Sequence, residues 1–180
     1  MFIANRLKDT NRAEFLLYMW QVEDLLRANG CDIDRLRANY LSKFDLPDDQ
    51  RRQMEQWYAD LCEMMRSEGV KENGHLQINI NTLQSLAELH ERLVASPKFP
   101  FYRAAYYKVL PYIVEIRNRG GHKDESELQT CFDVLYGVML LRLQKKPVTP
   151  ETEAAVKDIS TLLGQLSDYY FKDREDPIEW

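Results

Sequence analysis

An arginine and a histidine in the second half of the chain have the residue types for charge stabilisation and proton transfer. Arg117 is followed by a polar residue, three further residues and then His122. A guanidinium can stabilise a developing negative charge, and an imidazole can act as a general acid or base. A glycine pair, Gly120 and Gly121, lies between them and is typical of a helix end. We therefore favour the interpretation of the motif as a solvated loop whose cations suit a helix C-terminus.

A polar cluster inside the predicted helical core is a second candidate. Arg142 falls on the apolar side of its predicted helix, and Glu23 falls among apolar neighbours on another helix. Because a buried charge is costly unless it is paired, we expect Arg142 to meet an acid from another helix, with Glu23 or Asp24 the favoured partners. The cluster is either a structural ion pair or, together with Trp20 and Tyr107, part of a small-molecule pocket between helices. Arg142 reaching toward solvent near its helix end is a third interpretation.

Metal and thiol chemistry are not indicated by the sequence. The three histidines are far apart, and no HExxH or paired ExxH motif occurs. We predict no metal and no cofactor, and we interpret His90 as a core histidine. The cysteines are odd in number and form no CxxC, so we expect buried, reduced thiols at Cys31, Cys62 and Cys131.

The composition bounds the class of protein. A chain of 180 residues with 44% hydrophobic and 29% charged residues is typical of one globular domain. The net charge of −5 argues against nucleic acid or an anionic membrane as a partner, since both require a basic surface. The longest apolar run, residues 134–141, is less than half of a membrane span, and no export signal is visible. We therefore predict a cytoplasmic protein, with a protein partner, self-association or a small molecule still open.

Hydrophobic spacing predicts helices almost throughout the chain. We predict an all-α fold, a single-domain irregular bundle of six to seven mostly antiparallel helices over residues 1–180. Asp32 is a good N-cap, and Thr149 followed by Pro150 is a strong helix start. Residues 75–80 alternate polar and apolar without a second strand to pair with, so we expect an extended connector before a helix capped by Asn81. Residues 172–180 are predicted to be a loose tail.

One predicted helix, over about residues 125–145, is apolar on most sides, and we expect it at the centre of the bundle. A stripe on this helix that includes Asp133 and Gly137 is the exception. The stripe is a solvent-facing strip, a close helix crossing at Gly137, or the edge of a cleft.

Several runs of residues resemble a family of bacterial proteins known as a domain of unknown function. They are Leu16–Arg27 (LLYMWQVEDLLR), Arg66–Val70 (RSEGV), His75–Asn79 (HLQIN), Ala104–Ile116 (AAYYKVLPYIVEI) and Leu135–Lys146 (LYGVMLLRLQKK). The resemblance implies an intracellular, all-helical domain that stands alone. It implies no catalytic or binding residues, so none are carried over.

The Arg117–His122 pattern also resembles the signature of the HEPN ribonucleases, which are all-α. That resemblance implies a phosphate-stabilising role for Arg117 and acid–base cleavage of RNA by His122. The sequence therefore leaves three functions open: a non-catalytic interaction or regulatory module, a HEPN-like ribonuclease, and a small-molecule-binding protein with a pocket near Arg142. We favour the first, whose expected mark is an exposed apolar patch on the folded surface.

Overall fold

The computed structural model describes residues 1–120 and 125–180, and its helices confirm the all-α prediction. In chain order the described helices are α1 (Phe2–Thr10), α2 (Arg12–Ala28), α3 (Ile33–Asn39), α4 (Asp48–Ser67), α5 (Gln77–Ala95), α6 (Pro100–Gly120), α7 (Glu127–Leu143) and α8 (Pro150–Glu175), with a 3₁₀ turn at Leu41–Lys43. Helix α1 was not among the helices predicted from the sequence. Its nine residues bury only Ala4 and Leu7, too few apolar positions for a recognisable stripe.

The chain forms two compact units. The N-terminal unit comprises Met1–Asp9 and Glu14–Thr82, and the C-terminal unit comprises Thr10–Ala13 and Leu83–Trp180. Helices α2 and α5 each contribute residues to both. The prediction of one domain over residues 1–180 stays a prediction.

The N-terminal unit is built on locally capped helices with apolar stripes. The predicted N-cap is confirmed, since the Asp32 carboxylate accepts hydrogen bonds from the backbone N–H groups of Asp34 and Arg35 at 2.9 and 3.0 Å. Gly30, which follows α2, has φ of +67°, a conformation that glycine adopts without strain. The inner face of α4 is buried along its length, at Met54, Tyr58, Leu61, Cys62 and Met65.

The expected connector at residues 75–80 is wrong, because α5 begins at Gln77. The N–H groups of Asn79 and Ile80 already donate to the Leu76 carbonyl, as in a helical turn. Two further N–H groups at this helix start are bound by distant glutamates: Leu76 donates to Glu23 of α2 at 2.9 Å, and Gln77 donates to Glu68, just after α4, at 2.7 Å. Carboxylates at a helix N-terminus are favourable, so α5 is capped by tertiary contacts rather than by Asn81.

In the C-terminal unit, α6, α7 and α8 pack against one another. The helix predicted to be central corresponds to α7, but its buried residues lie mostly in its first half. Leu128, Cys131 and Phe132 are each at most 1% exposed, whereas Leu143 is 69% exposed. Thr149 caps α8 as predicted, accepting from the N–H of Thr152 at 3.2 Å, with Pro150 in the first turn.

The C-terminal tail is held rather than loose. Helix α8 continues to Glu175, so the first residues of the predicted tail are helical. The Lys98 ammonium donates to the Glu179 carbonyl at 2.9 Å, and the Arg92 guanidinium lies 3.7 Å from the centre of the Trp180 ring. A cation over an indole face is a favourable contact, which explains how so charged a segment stays attached. Within the described residues, no helix combines the length and the apolar character that crossing a membrane requires.

His90 lies inside the C-terminal unit, as expected for a core histidine, and predicts a pH dependence of folding. Burial lowers its pKa, against a smaller opposing effect of the Glu127 carboxylate. The unfolded chain therefore takes up a proton at His90 near its ordinary pKa of about 6.5, before the folded chain does. We expect the free energy of unfolding to fall as the pH drops below about 6.5, by at most about 1.4 kcal/mol per pH unit from this group.

His90→Gln should remove that part of the pH dependence, because glutamine does not titrate and can still bond to the Tyr102 hydroxyl, which lies 2.7 Å from Nδ1 of His90. Urea unfolding of both proteins at several values between about pH 7.5 and 5 measures the difference. Equal slopes against pH for the two proteins would contradict the prediction.

Candidate functional site

A groove on the C-terminal unit, among α6, α7 and the start of α8, has a volume of about 840 Å³. We call it the α6–α8 groove. Its floor is mostly apolar and its edge is charged. The lining residues are Tyr112, Glu115, Ile116, Arg119, Asp133, Val134, Gly137, Val138, Leu141, Thr149, Glu151, Thr152 and Ala155. Val134, Val138 and Leu141 of α7 therefore contribute to one concave and mostly apolar surface.

Gly137 shows which interpretation of the α7 stripe is right. A Cβ placed on this residue would have no atom within 4 Å, so the alternative of a close helix crossing is wrong. Gly137 instead lines the groove together with Asp133, which confirms the alternative of a cleft edge. A glycine inside a helix costs about 1 kcal/mol relative to alanine, and here no crossing helix offsets that cost.

The charged edge of the groove is predominantly acidic. Glu115, Asp133 and Glu151 lie along it, and the one cation among the described lining residues is Arg119. Arg119 is held by Glu115, with 2.5 Å between the guanidinium nitrogen and the carboxylate oxygen. The net negative edge favours an occupant that carries positive charge.

Arg142, the predicted buried cation, does not lie in the core. Its side chain is 53% exposed and forms an ion pair with Glu153 of α8 at 2.6 Å. The prediction of an acid from another helix is confirmed, but the favoured partners Glu23 and Asp24 were wrong, since the acid is Glu153. Arg142 lies in the last turn of α7, where the helix is no longer covered, so its apolar-facing position does not bury it.

Glu23, in contrast, is fully buried, and its partners are residues at the start of α5. One carboxylate oxygen accepts from the Leu76 N–H at 2.9 Å and from the Asn79 side-chain amide at 2.6 Å. The other lies 2.6 Å from Nδ1 of His75. Three donors satisfy the charge that burial would otherwise make costly. Because the amide nitrogen of Asn79 must face Glu23, its buried Oδ1 receives no bond from the described residues.

Trp20 is part of the same cluster, since its ring stacks on His75 with 4.5 Å between ring centres and 18° between planes. Arg27 secures the loop before α5 by donating to the carbonyls of Val70 and Gly74. Glu23 and Trp20 thus lie together in the N-terminal unit. Of the other two proposed binding residues, Tyr107 is exposed on α6 and Arg142 is on α7, both in the C-terminal unit.

Arg117 is engaged in structural contacts. Its Nε donates to the Thr130 hydroxyl at 3.2 Å, and a terminal nitrogen donates to the Glu125 carbonyl. These bonds attach the end of α6 to the start of α7. His122 lies outside the described residues, so the pairing of Arg117 with His122 stays a prediction.

Nucleophilic thiol chemistry is disfavoured by burial. Cys31, Cys62 and Cys131 are free and buried. Burial raises the pKa of Cys62 to about 11 and that of Cys131 to about 12, which keeps both as unreactive thiols near neutral pH. Among the described residues, no three histidine, cysteine or acidic side chains come together as metal ligands would.

Sequence reasoning missed most residues of the groove. Ile116, Glu115 and Glu151 come from the ends of two other helices, and nothing in their local sequence connects them. The one indication was α7 itself, which is apolar on more sides than its neighbours can cover. Searches of curated proteins and of solved structures find no match to this chain. One family model matches, over residues 1–177.

Proposed function

We propose that this chain, which belongs to the family described as a domain of unknown function (DUF4924), is a helical interaction module. The family description gives no activity, so the proposal is argued from the geometry. We infer that the α6–α8 groove binds an amphipathic, basic helix of a protein partner. The observation that carries the proposal is an apolar groove of about 840 Å³ between helices. Grooves of this kind take the apolar face of a helix, through anchors spaced at i, i+3, i+4 and i+7.

The charge of the groove selects among possible occupants. Glu115, Asp133 and Glu151 on its edge would repel an acidic segment and attract lysines or arginines that flank an apolar face. A second copy of this chain docking by the same groove would bring the two acidic edges together. The charge pattern therefore favours a basic partner over self-association.

A cytoplasmic location, in a bacterial cell, is part of this proposal. It is supported by the three free cysteines, since oxidising compartments favour disulfides.

Filling the groove is the sharpest test. Gly137→Leu places a side chain in the open space of the groove and replaces a helix-destabilising residue, so the variant should fold and gain up to about 1 kcal/mol. The probe is a short helical peptide with leucines at i, i+3, i+4 and i+7 and lysines elsewhere, measured by fluorescence anisotropy. We expect Gly137→Leu to weaken binding by at least about tenfold.

Two controls separate groove binding from general attraction to an acidic protein. Gly164→Leu makes the same substitution within α8, where an added Cβ also meets no atom within 4 Å and the residue does not line the groove. A peptide with glutamates in place of lysines keeps the apolar face. We expect full affinity for Gly164→Leu and little binding of the acidic peptide; equal affinity of Gly137→Leu and the unmodified chain would refute the proposal.

A further inference from the structure

A smaller cavity in the C-terminal unit, about 320 Å³ between α5, α6 and the start of α7, has a different character. Its polar groups include His90 and Glu91 of α5, Tyr106 of α6 and Glu127 of α7, and its apolar wall includes Val94. A few convergent polar groups against an apolar wall are typical of small-molecule sites, and this volume is at the lower end of their range.

The charge of this cavity is negative. Glu91 and Glu127 contribute carboxylates, and none of the described lining residues is a lysine or an arginine. The Tyr106 hydroxyl donates to Glu127 at 2.9 Å. Burial, together with that bond, raises the pKa of Tyr106 to about 12, so the phenol stays protonated and remains a donor to the carboxylate. Glu127 is thereby held in position with acceptor capacity to spare.

His90 supplies an independent observation. The residue is only 6% exposed, and its Nδ1 lies 2.7 Å from the Tyr102 hydroxyl. Its ring lines the cavity, and no described residue bonds to the other ring nitrogen, Nε2. A ring nitrogen of a nearly buried histidine, without a bond from the described residues and at the wall of a cavity, is a group that a ligand can satisfy. If Nδ1 donates to Tyr102, the lone pair on Nε2 can accept a hydrogen bond from that ligand.

We propose that this cavity binds a small organic cation, a primary ammonium on a short apolar stem. The ammonium donates to the carboxylates of Glu127 and Glu91 and to Nε2 of His90, which uses its three donors. The stem lies against Val94. The site is separate from the α6–α8 groove and does not depend on the function proposed for it.

The test compares three probes of similar shape in titration calorimetry with the full chain: n-butylammonium, 1-butanol and butyrate. We expect saturable binding of n-butylammonium alone. Glu127→Gln keeps an oxygen that accepts from Tyr106 but removes the charge, and should weaken binding by at least about tenfold. Glu91→Gln, at an exposed position, should also weaken it without affecting folding.

Glu88→Gln is the matched control, because Glu88 lies on the same helix as Glu91 but does not line the cavity. It should bind the amine like the unmodified chain. Equal weakening by Glu88→Gln would mean general attraction to an acidic surface and would overturn the proposal. Binding of 1-butanol as tight as that of the amine, or no saturable binding of n-butylammonium, would overturn it as well.

Discussion

Replacing Glu23 with alanine should lower the free energy of unfolding by about 3–5 kcal/mol, which is the usual cost of removing one partner from a buried charged cluster. The carboxylate accepts three hydrogen bonds, and after its removal the Leu76 N–H and the Asn79 amide would be left buried and unpaired. Since proteins of this size are stable by only about 5–15 kcal/mol, the loss is a large fraction of the total. Urea unfolding followed by circular dichroism measures it.

Asp24→Ala is the control, because Asp24 is the neighbouring acid but is about half exposed in its ion pair with Arg27. An exposed pair contributes at most about 1 kcal/mol, so this variant should unfold close to the unmodified chain. Glu23→Gln should be intermediate, since its amide oxygen can still accept from Leu76 and Asn79. If Glu23→Ala were no less stable than Asp24→Ala, the buried cluster would not be what holds the start of α5.

Phe132→Ala should cost about 3–5 kcal/mol, the range for deleting a fully buried aromatic ring. Phe132 lies in the covered first half of α7 and has no exposed surface. Leu143→Ala, at an exposed position in the same helix, should change the free energy of unfolding by less than about 0.5 kcal/mol. The same denaturation measurement applies to both variants, and together they test whether the second half of α7 is uncovered in solution.

A loss of several kcal/mol for Leu143→Ala would contradict that description. It would mean that the end of α7 is covered, for example by a second copy of the chain. Repeating the measurement at several protein concentrations would identify that case, since only self-association makes the midpoint depend on concentration.

Local chemistry made several helix starts predictable. Asp32 and Thr149 cap their helices through bonds that span two or three residues, and a short stretch of sequence contains everything such a bond needs. The start of α5 was not predictable in this way. Its buried stripe runs through Leu76, Asn79 and Thr82, and two of these residues are polar. Asn79 and Thr82 can be buried because Glu23 and the Ile78 carbonyl bind them. A search for the spacing of hydrophobic residues does not find buried polar residues of this kind.

Glu23 and Arg142, the two charged residues predicted to be buried, differ in the structure: Glu23 is buried and Arg142 is exposed. Helical spacing gives the direction of a side chain around its own helix, but not how far the neighbouring helices extend alongside it. Glu23 lies in the middle of α2, where its surroundings are fully covered, and its burial was anticipated. Arg142 points in a comparable direction but lies in the last turn of α7. The α6–α8 groove escaped prediction for the same reason, since its shape depends on where three helices stop covering one another.

The caps on α5 also bear on the order in which the chain folds. Glu23 lies 53 residues before Leu76, so the first turn of α5 is completed only after a long loop has closed. Until then the local preference for a start at Asn81 is unopposed, and an early intermediate should contain a shortened helix. We therefore place the lengthening of α5 back to Gln77 among the late steps of folding, where a substitution at Glu23 would accelerate unfolding rather than slow folding.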